Sequence, residues 1–317
     1  MCARFAPVPP SGTDAVACGG LAPVDTGAWA QLLDWYDIAA RDLPWRAPGR
    51  SPWGVLVSEV MLQQTPVARV VPVYEAWLAR WPEPGSLAGS TPGDAVRVWN
   101  RLGYPRRALR LREAGLACID RHDGQVPDDP AELLALPGVG PYTASAVGAF
   151  AFGRRCAVVD VNVARVVRRA GGGVDDPRPA TRADRDCLQR RLPTAAGTAV
   201  RVSAALMELG ALVCTARAPD CTSCPWRERC AWHAAGRPPV RGNTPRQPPF
   251  PGSDRQVRGR LLALLREAPG PVGRDVLESA WATDPPQRER ALSALVADGL
   301  AVPAGDGWAL PGNDEGA

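Results

Sequence analysis

A chain of 317 residues has room for two domains or slightly more, and its 45% hydrophobic content is that of an ordinary folded protein. No apolar run is long enough to span a membrane and no charged-then-apolar leader is visible, so no membrane association is expected. The formal charge is only +4, but all 37 basic side chains are arginine, which excludes Schiff-base chemistry by a lysine side chain and leaves only the terminal amine.

The Pro-, Gly- and Ala-rich residues 1–27 read as a disordered lead-in. Residues 28–40 read as an amphipathic helix with Leu32, Leu33, Trp35 and Tyr36 as candidate core. It runs out toward Pro44-Trp45-Arg46, where Trp45 reads as a core anchor. Residues 53–65 form the next expected helix, stopped by Pro66. Glu59 lies three after Leu56 and four after Val55, inside the apolar stripe. A carboxyl there loses water, which raises its pKa and suits a general acid, although a core-edge pair with an arginine explains it as well. Gln63, Gln64 and Thr65 close that helix. A helix over 67–80 carries Val70, Val71, Tyr74, Trp77 and Leu78 at core spacing. Helices over 92–101 and 105–120 are split by Leu102-Gly103-Tyr104.

Leu136-Pro137-Gly138-Val139-Gly140 reads as a tight turn, its glycines permitting angles that other residues resist. Pro141 then opens a helix to 152, and a glycine turn feeding a helix start is a ready anion site. The apolar run Ala157-Val158-Val159 ends at Asp160, which either does chemistry or caps a helix over 161–170. Arginines cluster at 106, 107, 110 and 112 and at 165, 168 and 169, suited to phosphates or to a solvated face. Residues 171–186 read as a loop and 198–213 as an apolar-striped helix.

Nine cysteines without a signal peptide argue for a reducing, cytoplasmic compartment and a metal site instead of a disulfide framework. Four of them, Cys214, Cys221, Cys224 and Cys230, fall within seventeen residues, and four thiolates suit zinc or an iron–sulfur cluster. Only the middle pair has the close spacing that zinc ribbons show twice. Residues 236–254 read as a linker. Beyond it, helical patterns at 255–267, 272–281 and 286–299 and a strand pair around Asp306-Gly307 suggest a small winged-helix-like unit over 255–317.

The LPGVG hairpin followed by Asp160, the segment Ser58-Glu59-Val60-Met61-Leu62-Gln63-Gln64-Thr65, and the four-cysteine spacing together resemble the helix-hairpin-helix adenine DNA glycosylases of the endonuclease III superfamily. The resemblance covers roughly residues 28–233, and the glycosylase core is expected over 28–235. It implies an all-α, two-lobed fold with a six-helix lobe over about 53–152. The second lobe, built from 28–50 and 155–235, would carry a [4Fe–4S] cluster on Cys214, Cys221, Cys224 and Cys230. It implies catalysis by Glu59 and Asp160, with Tyr142 where related lyases carry lysine and Asn162 supporting the aspartate. DNA and base contacts fall to Trp45, Arg46, Gln63, Gln64, Thr65, Tyr104, Pro137, Gly138, Val139 and Gly140, with Gln64 wedging into the duplex and Tyr104 stacking between bases.

The family often places glycine between the catalytic aspartate and the asparagine, where this chain has Val161. The longer C-terminal domain with which many members recognise 8-oxoguanine is not visible in this sequence. The expected activity is a monomeric, monofunctional glycosylase of the bacterial nucleoid. It would act on double-stranded DNA bearing adenine opposite 8-oxoguanine or guanine and have no lysine-dependent lyase step. A thymine/uracil–G mismatch glycosylase and a non-catalytic DNA-binding protein are the alternatives.

Overall fold

The computed structural model describes residues 26–239 and 249–312, so most of the expected lead-in and the middle of the expected linker lie outside the described residues. Helix α1 (Thr26–Ala39) leads to a 3-10 turn at Pro44–Arg46. Then come α2 (Pro52–Leu62), α3 (Val67–Arg80), α4 (Pro84–Ala88), α5 (Pro92–Trp99) and α6 (Arg106–His122). Next are α7 (Pro130–Ala135), α8 (Pro141–Phe150), α9 (Val161–Gly172), α10 (Arg182–Arg191), α11 (Ala196–Leu212) and α12 (Ala231–Ala234). The chain closes with α13 (Asp254–Glu267), strand β1 (Val272–Gly273), α14 (Arg274–Ala280), α15 (Pro285–Ala297), β2 (Val302–Ala304) and β3 (Gly307–Ala309).

Local chemistry sets many of these boundaries. Proline opens α4, α5, α8 and α15, where its missing N–H costs nothing. Thr91 and Thr181 begin α5 and α10 with reciprocal capping boxes to Asp94 and Asp184. Four expectations need correction. The helix expected over 53–65 stops at Leu62, because Gln64 takes a left-handed φ of 55°. The loop expected over 171–186 is helical at both ends, in α9 and α10. The helix expected from 272 starts with the two-residue strand β1. The short α4 and α7 were not expected at all.

The described residues divide into two compact units, and they cut the sequence differently from the expected boundaries: 139–152 clusters with the first unit, and 249–312 with residues 53–127 in the second. In the first unit, α1, α9 and α11 share a core of Trp29, Leu32, Val163, Val166, Val167, Val202 and Leu206, among others. Trp226 from the cysteine segment closes it, its ring 5.5 Å from that of Trp29 and its Nε1 donating to the Ala28 carbonyl at 2.9 Å. The second arginine cluster, read as suited to phosphates or to a solvated face, instead turns inward here. Arg165, Arg168 and Arg169 are 8%, 4% and 1% exposed. A buried guanidinium requires charge and hydrogen-bond partners. Arg168 pairs with Asp184 at 2.6 Å and Arg169 with Asp175 at 2.8 Å, and both also donate to loop carbonyls.

In the second unit, Trp77 packs edge-on against Trp81 at 4.7 Å and Trp99 at 5.7 Å. Helices α13–α15 pack beside a three-stranded antiparallel sheet of order β1-β3-β2. Their core of Val257, Leu261, Leu262, Leu265, Leu292 and Leu295 includes Val96 of α5. Arg266 donates to the Val96 carbonyl at 3.0 Å, and Arg97 returns a bond to the Ala268 carbonyl at 3.0 Å. Burial lowers the Arg266 pKa to about 10. The first arginine cluster is engaged as well: Arg112 donates to the Ala88 and Ser90 carbonyls, Arg110 pairs with Glu113, and Arg106 with Asp298.

Candidate active site

In the second unit, α2 carries Glu59 at 4% exposure, and every residue from Trp53 to Met61 is buried. The apolar stripe thus does enclose the carboxyl, and Ser58 beside it is fully buried, its Oγ donating to the Val55 carbonyl at 2.8 Å. Past the end of α2, Gln64 is exposed on its left-handed backbone. Thr65 is 7% exposed and its Oγ1 lies 3.2 Å from the Leu102 carbonyl oxygen, so it braces the turn from within. Tyr104 also has a left-handed φ, 46°, and is 54% exposed. Gln64 and Tyr104 are therefore displayed, while Thr65 and the backbone of Gln63 are occupied internally.

The two hairpin glycines differ. Gly138 has φ +78°, and a Cβ there would come within 2.9 Å of Cβ of Arg110, so angle and space both require glycine. Gly140 has an ordinary φ of −98° and open space around it, so of the two only Gly138 uses the freedom that glycine permits. It is the residue before α8, with Pro141 at the first helical position. A helix start of this kind carries partial positive charge. Val139 is 8% exposed and anchors the turn, while Pro137 is half-buried.

In the first unit, Asp160 is the N-cap of α9. Its Oδ1 accepts from the Val163 N–H at 2.7 Å and its Oδ2 from Asn162 Nδ2 at 2.8 Å. Asn162 is held in turn, since its Oδ1 accepts from Arg165 Nη2 at 2.8 Å. Arg165 also donates to the carbonyls of Gly210 and Cys214 at 2.7 and 2.8 Å. The side chain of Asp160 is thus fixed in one orientation by a chain of bonds that reaches the cysteine segment. Val161 begins α9 with no positive φ, so valine in place of glycine strains nothing; its side chain is 50% exposed. Tyr142 packs against a small cluster of Ala146, Ala149, Cys156 and Val158.

A group that the sequence reading missed is Glu208 on α11, which is fully buried. Arg41 contacts its carboxyl through Nε at 2.6 Å and Nη2 at 3.0 Å, and Arg46 through Nη2 at 2.8 Å. Burial would raise the Glu208 pKa, but these hydrogen bonds outweigh it and hold it below the usual carboxylate value. Arg46, expected at the base, is therefore tied to Glu208, and Trp45 beside it is buried. The available signal was a glutamate inside an apolar helix, the same pattern that marked Glu59.

Cys214, Cys221, Cys224 and Cys230 are free thiols lining one small pocket with Val213 and Trp232. Burial raises the Cys224 thiol to about 11, with the other three cysteines adding to the shift. Arg169 reaches this set, its Nη1 3.5 Å from Sγ of Cys214. Arg217, Arg227 and Arg229 of the same segment are exposed.

Residues 57–188 match the HhH-GPD superfamily of base excision DNA repair proteins. A protein of Mycolicibacterium smegmatis named adenine DNA glycosylase is 50% identical over 287 residues, spanning 90% of this chain and 96% of that one. The chain belongs to the adenine DNA glycosylase family. The match leaves out only about a tenth of the chain, so it reaches into the C-terminal helices whichever end it omits. Among solved structures, an endonuclease III–DNA covalent intermediate has a TM-score of 0.57 at 25% identity, covering 66% of this chain and 94% of that one. A thermostable thymine-DNA glycosylase has a TM-score of 0.58 at 24% identity, covering 71% and 100%, and shows the shared helical fold alone.

Proposed function

We propose that this chain excises adenine mispaired with 8-oxoguanine or guanine, hydrolysing the N-glycosidic bond after flipping the nucleotide out of the duplex. The 50% identity to a named adenine DNA glycosylase carries this reading. The contrast between Glu59, enclosed by apolar α2, and Asp160, bonded by Asn162 and the Val163 N–H, supports a division of roles.

Glu59 gives its proton to N7 of the flipped adenine. The C1′–N9 bond then breaks, its electron pair leaving with the base. The Asp160 carboxylate stabilises the positive charge developing at C1′, as carboxylates do in glycoside hydrolysis generally. Water adds at C1′ and returns a proton to Glu59. Protonating a base nitrogen suits a purine leaving group, which favours adenine over the thymine and uracil alternatives. No lysine is available to attack the opened sugar, so the reaction ends at the abasic site.

Gln64 and Tyr104 fill and stack in the opened duplex, and the hairpin at 137–140 holds the backbone. Cys214, Cys221, Cys224 and Cys230 fit a [4Fe–4S] cluster by their donor type and shared pocket. Held by these four cysteines, a cluster would tie together the segment on which Arg217, Arg227 and Arg229 are exposed and suited to phosphates. Glu59→Gln and Asp160→Asn should each reduce single-turnover adenine release by roughly 10²-fold or more, with duplex binding retained in a gel-shift assay. Binding that falls in step with release would remove both residues from the chemistry.

A further inference from the structure

Arg107 makes more contacts than a phosphate-binding arginine would need. It lies in the first turn of α6, and its guanidinium reaches across to the far end of α2. Nη1 donates to the carbonyls of Val60 at 2.7 Å, Met61 at 3.0 Å and Gln63 at 2.6 Å. Nη2 donates to Thr65 Oγ1 at 2.9 Å and to the Gly103 carbonyl at 3.1 Å. The same group lies 5.1 Å from the Trp99 ring centre and 5.5 Å from that of Tyr104. The last carbonyls of a helix have no partner within it, and a cation there also suits the helix dipole. Arg107 supplies both to α2.

The position of two of those carbonyls matters most. The peptide plane entering Gln64 begins at the Gln63 carbonyl, and that entering Tyr104 begins at the Gly103 carbonyl. Gln64 and Tyr104 both hold left-handed backbone, with φ of 55° and 46°, a conformation that side-chain-bearing residues resist. One guanidinium therefore fixes the orientation of both entering peptide planes, and it contacts one of the two displayed side chains directly. We propose that Arg107 is a positioning residue that holds Gln64 and Tyr104 together in the conformation with which they enter duplex DNA. This rests on the reading of those two residues as the ones that open the duplex. Burial draws the Arg107 pKa down to about 10, which leaves the guanidinium charged at neutral pH. Lysine keeps the charge but lacks the fork of donors, so it reaches one turn and not both.

The test is a set of single-turnover rates at saturating duplex, with 2-aminopurine beside the mispair reporting base opening. Arg107→Gln should lower the release rate and the opening signal by roughly tenfold to a hundredfold, the scale of one base–aromatic stack. Arg107→Lys should recover duplex binding but not base opening. In a chain already carrying Gln64→Ala and Tyr104→Ala, Arg107→Gln should cost less than about threefold more, because what it positions is gone. Arg107→Lys carries the same cycle if Arg107→Gln melts below the assay temperature. An additive loss in the triple variant, or full base opening in Arg107→Lys, overturns the role of Arg107. Unchanged opening in Gln64→Ala and Tyr104→Ala overturns instead the reading of those two residues, and the proposal falls with it.

Discussion

A methyl group on Gly210 would sit 2.8 Å from Cβ of Asn162 and 2.9 Å from its carbonyl oxygen. Backbone cannot yield as a flexible side chain does, so α9 would have to move at its first turn. Gly210→Ala should therefore lower adenine release well beyond any effect on duplex binding, measured as single-turnover rate against Kd; an unchanged rate would show that Asn162 does not control Asp160. The burial of Glu59 and the helix cap at Asp160 were legible because their sequence neighbours give them away: a carboxyl inside an apolar stripe, and an apolar run before a capping aspartate. Arg165, Arg168 and Arg169 were misread because a charge pattern does not say which way a helix turns its arginines. Only the partners that α10, α11 and the loop after α9 bring to them, the Gly210 carbonyl, Asp184 and Asp175, decide that they are buried. Glu208 escaped for the same reason, since its partners lie 167 and 162 residues away in sequence.

At the scale of elements, the long helices were readable from their period, while α4 and α7 have five and six residues, too few to show one. Helix α10 is so rich in arginine and aspartate that it passes for a loop, yet Thr181 and Asp184 cap it and Asp184 is 1% exposed. Burial raises the Asp184 pKa, but the bonds from Arg168 and Thr181 outweigh it and hold it below the ordinary value, as Arg41 and Arg46 do for Glu208. Below about pH 4 the unfolded chain takes up protons at these two carboxyls before the folded chain does. The stability they contribute is complete above that range and is lost as the pH falls through the folded values. Urea unfolding should show stability falling on acidification below about pH 4, and Asp184→Asn should flatten that fall; an unflattened profile would mean that the Arg168 pair does not set acid stability. Helices α13–α15 were expected as a small separate unit, but they cluster with residues 53–127 and share Val96 of α5, a side chain that nothing local marks as facing the C-terminal helices. Leu261 is fully buried there, and Leu261→Ala should cost about 2–5 kcal/mol of unfolding free energy. A cost well below 1 kcal/mol would mean that the C-terminal helices unfold independently of the transition being followed.

For the whole molecule, the sequence motifs, the helical fold and the family all point to one chemistry, base excision, with two carboxyls in unlike surroundings. No helix among the described residues is long and apolar enough to cross a membrane. The C-terminal helices join the unit of residues 53–127, and the mycobacterial relative shares part of them, so they are an integral part of this chain's construction. The most direct test of the proposed activity is single-turnover base release by cluster-loaded protein, followed by alkali. The duplexes would carry adenine opposite 8-oxoguanine, adenine opposite guanine, and thymine or uracil opposite guanine. Adenine should be released, fastest opposite 8-oxoguanine, with strand breaks only after alkali. Release of thymine or uracil in place of adenine, or strand cleavage without alkali, would contradict that activity.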